Sequence, residues 1–232
     1  MNPPVVVTIA ATDPGGGAGV AADLATFAAL GVHGACVVTA VTVQDTTAVH
    51  AVHPLPTAVV LAQLDAVLAD LPVAVIKTGM LATVETVSCL STRLADVPGT
   101  RPRLVVDPVL RASTGATLAT DEVVAAYREH LLPLADVVTP NEDEWVALGR
   151  PTGAHVLVTR GGDIPTTNDH GTGCTHSSAL ASYLARGEDL ATAALRADAF
   201  VARQLHLSKD WTLGRGRGPV AHLHAPTEGV TP

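Results

Sequence analysis

Short runs of unbroken apolar residues alternate along the chain with longer stretches whose apolar positions recur at helical spacing. "VVVTIA" (5–10), "GACVVTAVTV" (34–43), "VAVIKTG" (73–79), "RLVVDP" (103–108), "DVVTP" (136–140) and "HVLVTRGG" (155–162) read as strands buried on both faces. Between them, "GVAADLATFAALG" (19–31), "PTAVVLAQLDAVLADL" (56–71), "TVETVSCLSTRLAD" (83–96), "TDEVVAAYREHLLPLA" (120–135) and "NEDEWVALG" (141–149) read as helices. Gly31 closes the first, Pro56 opens the second and Thr120 caps the fourth. Two more helices, roughly 172–186 and 188–207, end the pattern. Such alternation predicts an α/β fold, a three-layer αβα sandwich around a mostly parallel sheet. No fixed-period repeat or long linker interrupts it, so residues 1–232 read as a single domain.

Ligands of such sheets bind beyond the carboxyl ends of the strands. Polar or glycine residues stand at every one of those ends: Thr12-Asp13, Gln44-Asp45, Lys77 to Met80, Asp107-Pro108, Asn141 to Glu144 and Arg160 to Gly162. The first end leads into "TDPGGGAGVAAD", where Gly17, Gly19 and Ala22 match a permissive dinucleotide fingerprint. The acid expected about 20 residues on is missing from its place, since Asp45 lies further away. Asp13 and Asp23 would also repel a pyrophosphate, and they suit donors on a neutral polar ligand. A plain strand-to-helix turn accounts for the same residues.

The stretch "DHGTGCTHSSALA" (169–181) is the better phosphate candidate. A glycine turn that opens a helix leaves backbone N–H groups free, and the helix dipole favours an anion there. Cys174 sits on the first helical turn, where a thiolate is stabilised. The alternative is a buried helix start with a small apolar cysteine. Asp107, Asn141 and Glu144 form a third feature. Its carboxylates suit Mg²⁺ beside a triphosphate, held directly or through water. Asn141 and Glu144 equally suit a capping pair, and both readings can hold together.

Composition narrows the partners. Charged residues are 16% and aromatics 3% of 232 residues, so the core is built from Val, Leu and Ala. The net charge of -8 argues against nucleic acid. Cys36, Cys89 and Cys174 are widely spaced and form no zinc pattern. The amino-terminal apolar run is short and lacks a basic lead, so it reads as a strand and not as a signal peptide, and no uncharged run reaches membrane-spanning length. The expected compartment is a reduced cytoplasm.

The chain resembles the hydroxymethylpyrimidine and phosphomethylpyrimidine kinases of thiamine biosynthesis, in the ribokinase-like superfamily. The resemblance runs from "TIAATDPGGGAGVAADLATFAALGVHG" through "VTAVTVQDT", "KTGML", "VVDPV", "TPNEDE" and "DHGTGCTHSSALA" to "LGRGRGPVAHLH". It implies ATP-dependent, Mg²⁺-assisted phosphorylation of an aminopyrimidine's hydroxymethyl group and then of the monophosphate. It places Asp23, Gln44, Met80 and Val109 on the aminopyrimidine, and Asn141, Arg160 and Thr172 on the nucleotide. Asp107 and Glu144 are then the metal carboxylates, and Gly171, Thr172, Gly173 and Cys174 the catalytic anion hole. Cys174 would take or orient the proton of the substrate hydroxyl. A homodimer without nucleic-acid or membrane partners is implied as well.

Three departures from the family pattern stand out. Ala11 replaces a glycine and narrows the floor of the pyrimidine site. Arg160 replaces a lysine. The sequence is also short near 150–155, where the family has a helix, and near 163–166, where it has a hairpin; either the protein is trimmed there or the sequence joins segments across omitted loops. A pyridoxine or pyridoxal kinase is the nearest enzymatic alternative. A non-catalytic ligand-binding protein on the same fold is the next, and a nicotinamide oxidoreductase the most distant.

Overall fold

The computed structural model describes residues 2–97, 99–153, 155–159 and 164–222. Its strands are β1 (Val5–Ala10), β2 (His33–Val38), β3 (Ala40–Gln44), β4 (Val49–Pro54), β5 (Val73–Thr78), β6 (Arg103–Val106) and β7 (Val137–Val138). Its helices are α1 (Gly19–Ala29), α2 (Thr57–Asp70), α3 (Val84–Ala95), α4 (Asp121–Ala126), α5 (Glu142–Ala147), α6 (Thr172–Ala185) and α7 (Leu190–Ser208). Five strands form a parallel sheet in the order β2-β1-β5-β6-β7, as the continuous apolar runs require.

Alternation along the strands sorts side chains to two cores. Val7, Ile9, Ile76, Leu104 and Val106 meet α2, α3 and the α4 region on one face. Val6, Val75, Val105 and Val137 meet Phe27 of α1 and the small residues of α6 and α7 on the other. The expected three layers are present. Among the described residues, no helix is long and apolar enough to cross a membrane.

Three elements differ from the sequence expectation. The run 34–43 is two strands, because the chain leaves the sheet at Thr39, whose buried hydroxyl donates to the Met80 carbonyl at 2.7 Å. Beyond it β3 pairs antiparallel with β4, a strand the apolar pattern does not announce, with Val43 opposite Ala51 and Val41 opposite His53. The expected helix 120–135 ends as α4, then a π turn (Tyr127–Leu131) and a 3₁₀ turn (Leu132–Leu134). Pro133 has no N–H and its ring crowds the carbonyl four residues back, which breaks the α-helical ladder. The expected strand at 155–159 makes only single bridges, Val138 to Val156 and Asn141 to Thr159. Pro140 has no N–H to continue the ladder there.

Lys77 lies on the central strand and is fully buried. Its Nζ donates to both oxygens of Asp23 at 3.0 Å. Asp23, on α1 and also fully buried, accepts from Thr8 Oγ1 of β1 and Ser178 Oγ of α6, each at 2.6 Å. One carboxylate thus ties two helices to two adjacent strands. Removing one partner of a buried pair strands the other charge, which costs about 3–5 kcal/mol. Asp23→Ala should lose stability on that scale in urea unfolding, and Asp23→Leu with Lys77→Met should recover much of it. An alanine variant as stable as wild type would refute this role for the pair.

Candidate active site

The segments that follow β1, β5, β6 and β7 open onto one cleft of about 1730 Å³. That exceeds the roughly 300–1,000 Å³ of a single-ligand pocket and leaves room for two reactants. At one end an apolar floor is formed by Ala11 and Met80, with Val109, Val52 and Leu118 packed beside them. Thr42, Gln44 and Asp13 give this end its polar groups. Glycine is required where α1 starts, since a Cβ on Gly19 would lie 2.3 Å from the Ala11 carbonyl oxygen.

The first glycine loop is already satisfied from within. Asp13 accepts from the amides of Gly15 at 2.8 Å, Gly17 at 3.1 Å and Ala18 at 2.8 Å. A pyrophosphate would have to compete with that carboxylate for the same donors. Burial acts to raise the Asp13 pKa. Hydrogen bonds from His170, Gln44 and Gly15 outweigh it and hold the pKa below the usual value.

The second glycine loop is different. Gly171 adopts a left-handed conformation, φ 84°, and a Cβ there would meet the Gly17 carbonyl oxygen at 1.7 Å. α6 starts directly from this contact. The Thr172 amide and hydroxyl both donate to the Asp169 carbonyl, at 3.2 and 2.6 Å. Among the described residues the amides of Gly171, Gly173 and Cys174 have no such acceptor. The cradle for an anion therefore consists of these three amides at the positive end of a 14-residue helix.

Two carboxylates face the same cleft. Asp107 accepts from Ser177 Oγ at 2.8 Å and lies 3.7 Å from Lys77 Nζ. Glu144 accepts from the amides of Leu110 at 3.2 Å and Asn141 at 3.0 Å, and the Asn141 side chain accepts from the Glu144 amide at 2.9 Å. The capping pair is thus present, and it leaves Glu144 on the cleft. Burial and the charge of Asp107 push the Glu144 carboxyl up to about 7. Burial likewise raises Asp107, against the pull of Lys77 and Ser177. A carboxyl raised by burial and by the charge of a neighbouring carboxylate suits a bound cation. Among the described residues no third His, Cys, Asp or Glu joins them, so such a cation would complete its shell with water and phosphate oxygens.

Gln44, Met80, Val109, Asp107, Asn141, Glu144 and Gly171 to Cys174 all line the cleft. Asp23 does not. It was expected against the ring, but it lies beneath the site as the counter-ion of Lys77. The expected Cys174 thiolate is also corrected. Burial pushes the thiol up to about 12, and Asp23 and Asp107 add to this against the opposing effects of Lys77 and the Gly19 amide. Lys77 itself stays protonated: burial works against its charge, but Asp23, Cys174 and Asp107 outweigh it. Arg160 and the start of the 163–166 junction lie outside the described residues.

Sequence reasoning left Lys77 and His170 without roles. A signal for Lys77 was available, because a lone lysine in an apolar central strand needs a buried acid, and Asp23 is the single acid of α1.

The phosphomethylpyrimidine kinase family profile matches residues 13–156 and 151–221. A hydroxymethylpyrimidine/phosphomethylpyrimidine kinase of Rhizobium meliloti is 40% identical over 261 aligned positions, which cover 95% of this chain and 97% of that protein. Those positions outnumber the 232 residues here, so the relative carries internal segments that this chain lacks. The family match comes in two segments that overlap at 151–156, at the first of the two short junctions. Among solved structures, the Staphylococcus aureus pyridoxal kinase bound to pyridoxal superposes with a TM-score of 0.82 at 30% identity, covering 96% of this chain and 94% of that one. Phosphomethylpyrimidine kinase of Clostridium difficile gives 0.73 at 31%, covering 86% and 98%.

A carboxyl held protonated by the fold favours folding at low pH. For Glu144 that contribution is complete below its ordinary 4.5 and is lost as pH rises through about 7. The stability of wild type relative to Glu144→Gln should therefore fall across that window, by a few kcal/mol at most. Urea midpoints of the two proteins against pH measure it, and parallel curves would show that Glu144 titrates normally.

Proposed function

The chain belongs to the phosphomethylpyrimidine kinase family, and we propose that it transfers the γ-phosphate of ATP to the hydroxymethyl group of 4-amino-5-hydroxymethyl-2-methylpyrimidine and then to the resulting monophosphate. The observation that carries this reading is the arrangement of the cleft. Three free amides at the start of α6 sit in one cavity with a flat apolar pocket edged by Gln44 and with the Asp107–Glu144 pair.

Each group then has a task. Ala11, Met80 and Val109 take the ring faces, and Gln44 takes its polar edge. Gly171, Gly173 and Cys174 donate to the phosphoryl oxygens as charge gathers on them, and Lys77 adds a fixed positive charge beneath. Asp107 and Glu144 would hold Mg²⁺, which neutralises phosphate charge when bound. With its pKa near 12, Cys174 is a thiol at neutral pH, so it orients the substrate hydroxyl and does not deprotonate it in the resting enzyme. Phosphoryl transfer tolerates this because it depends mainly on placement and charge.

Residues 1–232 are taken as one kinase domain. A homodimer is part of the same proposal, and the exposed Val41 and Val43 of the β3–β4 ribbon offer an apolar face for it. Pyridoxal is the second substrate to weigh, because the Staphylococcus aureus pyridoxal kinase shares the fold so fully.

ADP release should be measured with the pyrimidine alcohol, its monophosphate and pyridoxal in parallel. The two pyrimidines should turn over, and turnover with pyridoxal alone would overturn the assignment. Cys174→Ala should lower kcat by about 10²-fold, the cost of a misplaced reacting group, with nucleotide KM unchanged. Asp107→Asn should raise the Mg²⁺ concentration needed for half-maximal rate, and an unchanged requirement would remove Asp107 from the metal site.

A further inference from the structure

His170 stands directly before the phosphate cradle, and both of its ring nitrogens are engaged. Nε2 meets Asp13 Oδ2 at 2.8 Å, and Nδ1 meets the hydroxyl of Ser113. The backbone is fixed on both sides: the His170 amide donates to the Gly218 carbonyl, and its carbonyl accepts from the Val220 amide, each at 3.0 Å. The ring lies on Gly17, where a Cβ would come within 2.6 Å of His170 Cδ2.

Three separate loops meet at this ring. Asp13 organises the first glycine loop and, through Gln44, borders the ring pocket. Ser113 belongs to the exposed loop after β6, closed by a bridge from Arg111 to Thr117. His170 itself leads into Gly171 and α6. The acceptor pocket and the phosphate cradle are therefore joined through one imidazole.

We propose that His170 is a positioning residue for the transfer: its hydrogen-bond chain to Asp13 and Ser113 fixes the distance and angle between the acceptor hydroxyl and the phosphate cradle. With both nitrogens occupied, the ring has no polar atom left for substrate. Its effect on the rate must pass through its two neighbours. A misplacement of about 1 Å between reacting groups can cost on the order of 10²-fold in rate. Histidine suits the task because it is flat enough to lie on a glycine and carries polar atoms on two edges. Glutamine can reach Asp13 but not Ser113 as well, and asparagine reaches only the Ser113 side.

This inference rests on the kinase reading above, and the test separates the two. Wild type is assayed first for ADP release with the pyrimidine alcohol. No turnover there would sink the kinase reading itself. With wild type active, His170→Ala should lower kcat by about 10²-fold. The KM values for pyrimidine and ATP should stay within about threefold, because ground-state contacts are untouched. His170→Gln should recover most of the lost kcat, and His170→Asn should recover little. Ser113→Ala should cost less than His170→Ala and add nothing when combined with it, since both act through one chain.

Should His170→Ala not fold, Gly17→Ala displaces the ring with the histidine still present, and it should give the same fall in kcat with both KM values held. The proposal is overturned if kcat is near wild type in His170→Ala. It is overturned too if the loss appears mainly as a raised pyrimidine KM, the mark of direct substrate contact, or if glutamine and alanine variants are equally impaired.

Discussion

A single ammonium group in the middle of the sheet sets the terms for the rest of the site. Lys77 is fully buried, so carboxylates must come to it. Asp23 approaches from α1 and Asp107 from the end of β6, at 3.0 and 3.7 Å. Ser178 of α6 then binds Asp23, and Ser177 binds Asp107. The helix that carries the phosphate cradle is therefore docked through the charge network and not only through its alanines. The same network fixes the state of Cys174. Burial first, and then two anions set against one cation, leave the thiol neutral even though it stands at the positive end of a helix.

The two glycine loops divide the work because of one aspartate. Asp13 takes the amides of the first loop for itself, which turns a segment that looks like a phosphate loop into a scaffold. The second loop keeps the amides of Gly171, Gly173 and Cys174 free because it is braced by backbone contact, Gly171 against Gly17, and by Thr172 on the Asp169 carbonyl. The brace also explains the choice of residue. Any Cβ at 171 would separate the loops, and the cradle would move away from the acceptor pocket.

The two junctions expected to be short fall between α5 and α6. A relative carries internal segments that this chain lacks, and the family profile matches in two segments that overlap at 151–156. The sheet ends with a two-residue β7 and single bridges beyond it. The core network does not depend on that edge. Lys77, its carboxylates and both glycine loops are held by β1, β5, β6, α1 and α6.

Much of the fold was legible in the order of residues. Unbroken Val-rich runs and helical spacing define the parallel sheet and its covering helices, because burial on both faces forces that pattern locally. The positions of Gln44, Met80, Asp107, Glu144 and Gly171 to Cys174 on one cleft followed from their places at strand and helix ends. The remainder depended on neighbours distant in sequence. β4 is a strand only because β3 lies beside it. Asp23 looked like a ligand group until the packing placed Lys77, 54 residues away, against it. His170 became visible as a clasp only when Asp13, 157 residues earlier, came within 2.8 Å. Local sequence determines which residues can form a strand, a cap or a free amide. Which charge finds which partner is decided by desolvation in the folded interior, and that is a property of the tertiary structure alone.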